Sequence, residues 1–212
     1  MPRAPAILQS EYPYNISARC INREWFSIAM PLVWDIFSDE LMRTSKEKNL
    51  LIHSFVLMSN HFHLIATTPD ANISQCMQQF LQRTSRRLTR EGNRINQTFA
   101  GRHFKCILDK QNYFLNAYKY NYLNPVMAGA SKLVEDYPFS TLHALSKNRT
   151  LKFPLAEDST FQADSKGTLE WLNCKPDERK LEAVRYGLKR QFFKSKIERR
   201  TRAPLISDYE LL

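Results

Sequence analysis

The stretch from Leu50 to Thr68 constrains the fold more than any other part of this chain. It is rich in aliphatic and aromatic residues and is broken once, at Ser59-Asn60. Two such runs joined by a tight turn read as a β-hairpin. Alternate residues of a strand share one face of a sheet. His61 and His63 therefore project together, and Phe62 turns the other way into a core. Two imidazoles on a rigid strand make half of a metal site. The same spacing is met by an ordinary pair of core or surface histidines, because nothing adjacent in sequence completes a coordination sphere.

The flanking patterns place the hairpin in an element order. Tyr12 to Arg19 alternates apolar and polar residues and reads as a strand, with a turn over Cys20 to Glu24. Pro31 to Met42 has helical spacing, and proline suits a first helical turn. Ile73 to Arg90 is an amphipathic helix. Its apolar face is Ile73, Met77, Phe80, Leu81 and Leu88, and its other face carries Arg83, Arg86, Arg87 and Arg90. Arg102 to Leu108 reads as a further strand. Asn112 to Leu123 reads as a third helix, ended by Asn124-Pro125 because a residue before proline avoids the helical region. The order β-α-β-β-α-β-α predicts an α+β, ferredoxin-like or RRM-like sandwich: an antiparallel sheet with helices on one face, the other free to hold a substrate. Residues 1–146 form this domain. Residues 147–176 are polar without a clear period and read as a linker. Residues 177–212 read as a basic C-terminal extension, helical over 177–200, with Arg185, Lys189 and Arg190 on its charged side.

The net charge of +10 favours a polyanionic partner, most often nucleic acid. Arg83, Arg86, Arg87, Arg90, Arg102, Lys105, Arg185, Lys189 and Arg190 are the candidate phosphate contacts. The four cysteines are far apart, which argues against a structural zinc cluster. No signal peptide is visible at the N-terminus, and no run approaches the ~20 apolar residues of a membrane span. A cytoplasmic protein with reduced thiols and no membrane partner is expected.

Tyr120 and Asn124 lie four apart, one helical turn and about 6 Å along the axis. If their face meets the histidine strand, two imidazoles, one amide oxygen and one phenol converge. That donor set suits a divalent metal, Mg²⁺ or Mn²⁺, with imidazole favouring Mn²⁺. The metal would polarise a phosphodiester and the phenol would attack it. Tyr118 and Tyr122 are competitors on the opposite helix face, about 200° around. All three tyrosines also satisfy a plain reading as core or surface aromatics.

Four separated blocks resemble a known family. These are Tyr14-Asn15-Ile16-Ser17-Ala18-Arg19 with Asn22-Arg23; Met58-Ser59-Asn60-His61-Phe62-His63-Leu64; Tyr120-Asn121-Tyr122-Leu123-Asn124-Pro125-Val126-Met127-Ala128-Gly129; and Asp136-Tyr137-Pro138-Phe139-Ser140. Together they resemble the REP-associated tyrosine transposases, a branch of the HUH single-tyrosine, IS200-like transposases, over residues 12 to 145. The resemblance implies a metal held by His61, His63 and Asn124, a nucleophile at Tyr120, and DNA contacts at Arg19, Asn22 and Arg23. It implies cleavage and strand transfer of single-stranded DNA, as hairpins of repetitive palindromes, through a 5′-phosphotyrosine intermediate, in a bacterial cytoplasm at the nucleoid. Three positions depart from the family pattern: Asn121 stands where isoleucine is usual, Phe139 replaces tryptophan, and Met127 replaces a common arginine. None is a proposed site residue. The alternative is a non-catalytic RRM-like module that holds single-stranded nucleic acid. A monomer is expected, whereas exchange of the tyrosine helix between two subunits would give a dimer.

Overall fold

A computed structural model describes residues 7–212 apart from 94, 96, 100 and 102. Four strands, β1 (Tyr14–Arg19), β2 (Leu51–Leu57), β3 (His61–Thr67) and β4 (Phe104–Ile107), form one sheet in the order β2-β3-β1-β4. All three pairings are antiparallel. Helices α1 (Met30–Lys48) and α2 (Ile73–Glu91) supply the two crossovers. This is the expected α+β sandwich. The hairpin turns at Ser59-Asn60 as its sequence dictates.

Directly paired residues of neighbouring strands share a face. The row Ala18, Phe62, Leu57 and the row Ile16, Leu64, Phe55 point to α1 and α2. There Phe37 of α1 meets Phe26, Phe55, Phe62, Phe80 and Phe99, with ring centroids 5.7–6.4 Å apart and mostly edge-on. Each aromatic pair of this geometry adds about 0.5–1.5 kcal/mol beyond its buried area. α1 ends at Asn49, whose φ of 52° is a left-handed stop that asparagine tolerates.

The other sheet face is not bare over its whole length. Helix α3 (Gln111–Met127) lies on it and buries Ala117, Tyr118 and Tyr122 against Val56, Ile65 and Cys106 of the strands. α3 also runs past its expected end. Pro125 sits inside its last turn, where the missing N–H removes only one helical bond, and Asn124 returns its side-chain amide to the Tyr120 carbonyl at 2.7 Å.

The region read as a linker carries α5 (Ser159–Ala163) and α6 (Ser165–Asn173), preceded by α4 (Thr141–Ser146). The basic extension is helical only over α7 (Glu178–Gly187), not to residue 200. The chain turns back there so that Phe193 packs onto Gly187, where a β-carbon would meet its ring at 2.8 Å. Phe161, Leu172, Ala183, Val184, Phe193 and Ile206 join the same core as α3. Residues 191–193 also bond to Ile107 of β4, at 2.9 Å from its N–H and 3.0 Å to its carbonyl, and so cover an exposed sheet edge.

Candidate active site

The strand register sets the site. Arg19 is opposite His61 and Ser17 is opposite His63, so all four project on the α3 side. The two imidazole rings lie 5.1 Å apart and nearly perpendicular. The ring of Tyr120 stands edge-on to His63, with centroids 5.9 Å apart. Tyr120 and Asn124 are both half-buried on the same turn of α3. The sheet and the helix thus bring Tyr120, His63 and His61 together, with Asn124 one turn along.

The electrostatics suit cation ligands. Burial, with Arg19 as a lesser cause, lowers the His61 pKa to about 4. Burial, then His61 and Arg19, holds His63 well below the usual imidazole range. Both rings are therefore neutral at pH 7, the form that binds metal. His61 Nδ1 pairs with the Asn60 amide oxygen at 2.7 Å, which leaves Nε2 as the ligating atom. Both ring nitrogens of His63 are buried without a protein partner. A buried polar atom left unpaired is costly, and a cation would satisfy one of these. Asn124 has its amide N–H engaged by the Tyr120 carbonyl, and its oxygen is the end that can ligate. The residues present fit a divalent cation, although no group of three or more His, Cys, Asp or Glu side chains is found among the described residues.

The competing tyrosines are separated by their surroundings. Tyr118 is fully buried and donates to Asp158 at 2.6 Å. Tyr122 is buried against Thr141, hydroxyl to hydroxyl at 2.8 Å. Burial raises both phenols far above the normal range. Neither can present an oxygen to a substrate without breaking the core.

The turn after β1 is docked on the histidine hairpin. Cys20 N–H donates to the Asn60 carbonyl at 2.8 Å, the Asn60 amide to the Arg23 carbonyl at 2.8 Å, and Phe26 N–H to the Ser59 carbonyl at 2.9 Å. Asn22 and Arg23 both adopt left-handed backbone, with φ of 55° and 59°. For arginine this costs of order 1 kcal/mol, held here by the bond to its carbonyl. Asn60 thus bridges His61 to the turn, a role that a sequence reading of it as a turn residue misses. Asn121 was also missed: fully buried, it donates to Asn15 at 2.8 Å and ties α3 to β1.

Several predicted phosphate contacts lie elsewhere. Lys105 alternates onto the opposite face, over Tyr14, and its amine reaches Ser74 of α2 at 3.1 Å. Arg83 pairs with Glu47, and Arg87 with Asp39 and Glu40, which join α2 to α1. Arg86 and Arg90 share that layer, on the far side of the sheet from the histidines, and Arg90 pairs with Glu91. Arg185 is an exposed residue of α7, and Lys189 and Arg190 are exposed just beyond it, with Arg190 stacked on Tyr186 at 4.3 Å. Arg102 lies outside the described residues. No helix among the described residues is long and apolar enough to cross a membrane.

The sheet and its helices have a counterpart among solved structures. The structure of a REP-associated tyrosine transposase bound to a REP hairpin superimposes with a TM-score of 0.60 at 18% identity, covering 74% of this chain and 93% of that one. A structure from Deinococcus radiodurans R1 with a proposed transposase assignment aligns at a TM-score of 0.38 and 14% identity, over 65% of this chain and 98% of that one. No curated protein sequence matches. The family described as Transposase IS200 like matches residues 15–121, which run from β1 into α3 and include His61, His63 and Tyr120 but not Asn124. This chain belongs to the IS200-like transposase family.

Proposed function

We propose that the chain cleaves and rejoins single-stranded DNA, in hairpin form, with Tyr120 as the nucleophile. One observation carries this reading. Of the three clustered tyrosines, only Tyr120 stands against His63 at 5.9 Å and is not sealed in the core. The Tyr120 oxygen would bond to phosphorus as the bond to the 3′ oxygen breaks. The 5′ phosphate is then held as a phosphotyrosine ester, the phenol proton passes to solvent, and the departing 3′ oxygen takes one up. The ester conserves the energy of the broken bond, so a second strand end can later reclaim the phosphate.

His61, His63 and Asn124 would hold a divalent cation, Mg²⁺ or Mn²⁺. When bound, such a cation polarises the phosphodiester and offsets its developing charge. Arg19, exposed and directly opposite His61, would seat the neighbouring phosphate, and Arg23 would extend that path. Because α3 lies beside the histidines of its own chain, one copy carries a complete site, which supports a monomer. The family and the hairpin-bound fold relative support a DNA substrate of this kind, and such a protein would act at the bacterial nucleoid.

Covalent capture tests the reading. Labelled hairpin DNA is incubated with Mn²⁺ or Mg²⁺ and run on a denaturing gel. A shifted band is expected that needs the metal and disappears in Tyr120→Phe and His61→Ala. A band that survives Tyr120→Phe sinks the assignment. Tight binding by every variant without a band moves the function to the non-catalytic module.

A further inference from the structure

The chain carries three tryptophans, and two of them are built into the fold. Trp34 packs among Phe55, Phe139 and Phe153. Trp171 donates its indole N–H to the Leu212 carbonyl at 3.0 Å, with the Lys119 amine over its ring. Trp25 is 74% exposed, and among the described residues its indole has no hydrogen bond, ring contact or cation over it.

Trp25 lies on the turn docked against the histidine hairpin. Two residues before it, the Arg23 carbonyl accepts from Asn60, whose amide oxygen faces His61. One residue after it, the Phe26 N–H donates to the Ser59 carbonyl at 2.9 Å, and the Phe26 ring turns into the α1/α2 core, 5.7 Å from Phe37. The backbone at Trp25 is thus clamped from both sides onto the turn that leads into His61. Three chain steps of about 3.8 Å and one strand spacing of about 5 Å put its backbone within roughly 17 Å of that of His61.

Holding the turn there costs strain. Asn22 and Arg23 have left-handed backbone, with φ of 55° and 59°, and neither is glycine. Such strain persists only where the surroundings fix it, and it collects at ligand sites. What this turn displays is exposed Arg23 and Trp25, beyond exposed Arg19 at the end of β1. The acid between them, Glu24, accepts from the Asn22 amide at 3.5 Å. A single exposed apolar residue needs no explanation. An indole fixed near two arginines, beside a proposed phosphodiester site, has the parts of a single-strand platform: a π face for a base and positive charge for its phosphates.

We infer that Trp25 stacks on a base of the single strand where it leaves the histidine site past Arg19 and Arg23. This rests on the proposed DNA-cleaving function and adds a binding residue to it. The two arginines and the net charge of +10 favour a polyanionic strand over an apolar protein partner. Every base has a π face, so Trp25 supplies affinity and strand placement rather than sequence choice.

Intrinsic emission reads the contact directly, because an exposed indole that stacks on a base is quenched. The full-length chain with Tyr120→Phe, which prevents cutting, is titrated with a single strand of about thirty random nucleotides. A fall in tryptophan emission is expected in this chain and not in one that also carries Trp25→Phe. Unchanged emission at saturation overturns the inference, and so does an equal fall in both chains. Affinity is read separately, by anisotropy of the same strand labelled with fluorescein. Trp25→Leu is expected to weaken binding about 5–150-fold and Trp25→Phe to retain most of it. Leucine keeps the apolar bulk but removes the π face, so undiminished binding by the leucine chain also overturns the inference. Covalent capture with Tyr120 restored separates the two readings. Quenching and lost affinity without any adduct in the parent remove the catalytic function and keep the platform. An adduct in the parent with unchanged affinity in Trp25→Leu does the reverse.

Discussion

The two faces of the sheet are made from the same four strands, but they differ in kind. The α1/α2 face is closed by an edge-to-face cluster of phenylalanines, and its charges are joined in pairs, Arg87 to Asp39 and Glu40 and Arg83 to Glu47. The α3 face keeps polar groups at its centre: two neutral histidines, a buried Asn15–Asn121 bond, and tyrosines tied to Asp158 and Thr141. The first face is closed by its own apolar packing, with a few buried polar atoms of Ser38, Glu40, Thr44 and Thr84 on its helices. The second leaves unpaired nitrogens at His63 and an open end at Arg19. A DNA-processing protein of this class can thus hold its strained, polar site because the opposite face is built for stability.

The sharpest way to break this comparison is to remove one arginine from each face. Glu40 is fully buried, and Arg87 reaches its carboxylate at 3.0 Å. Arg87→Ala leaves that charge only the longer contact with Arg43, at 3.8 Å, and is expected to cost about 3 kcal/mol of stability by urea unfolding. Binding to single-stranded DNA by the remaining folded protein should stay the same. Arg19→Ala is expected to do the opposite. Its melting temperature stays near the parent value, while the slope of log K against log salt falls by about 0.7 for one lost phosphate contact. If Arg87→Ala lowers the salt slope instead, the α2 surface binds DNA and the division of labour between the faces is wrong.

Acid should soften the two faces unequally. Neither α1 nor α2 contains a histidine. On the α3 side, burial lowers His61 to about 4 and holds His63 well below the usual imidazole range, and His53 is also lowered by burial. A histidine neutral in the fold binds fewer protons folded than unfolded. Its stabilising contribution is complete above the unfolded pKa of about 6.5 and is lost as pH falls from there toward 4. In EDTA, the parent chain should therefore lose stability across that window. The double variant His61→Gln, His63→Gln should lose less, by about 2 kcal/mol at pH 4.5. Hydrogen exchange at that pH should open α3 before α1. Parallel curves for the two proteins would remove the buried histidines as the cause.

How much of this was legible follows from periodicity. The hairpin, the two crossover helices and the order of elements along the chain were readable because their apolar spacing is strict and their cores are local. His61, His63 and Tyr120 were readable as candidates, since strand and helix periods fix which residues share a face. The choice among Tyr118, Tyr120 and Tyr122 was not, because all three fit one helix and only the docking of α3 buries two of them. Lys105 was assigned to the site from its charge, although its place one residue after Phe104 sends it to the other face. The C-terminal third misled for a different reason. The apolar spacing at Leu181, Val184 and Leu188 continues into Phe192 and Phe193, as a longer helix would. The chain instead reverses after Gly187 so that Phe193 fills the gap left by the missing side chain. The docking of Asp158 on Tyr118, forty residues away, has no local sequence signal.

Asn60 offers the finest test of the comparison, because it acts only on the open face. Its carbonyl oxygen faces His61 Nδ1 and its amide donates to the Arg23 carbonyl, so one side chain orients a ligand and anchors the turn. Partners of this kind fix the tautomer of a metal-bound imidazole, and removing them costs about 10–100-fold in metal affinity. Asn60→Ala is expected to weaken Mn²⁺ binding, measured by calorimetry, by that factor. Stability in EDTA should change by no more than about 1 kcal/mol, the worth of an exposed neutral hydrogen bond. Asn60→Asp separates the two halves of the role. Its carboxylate still accepts from His61 Nδ1 but has no N–H for Arg23. Recovery of Mn²⁺ affinity in Asn60→Asp would assign the effect to the imidazole. Affinity as weak as in Asn60→Ala would assign it to the left-handed turn, and Arg23, rather than His61, would be the residue that Asn60 holds in place.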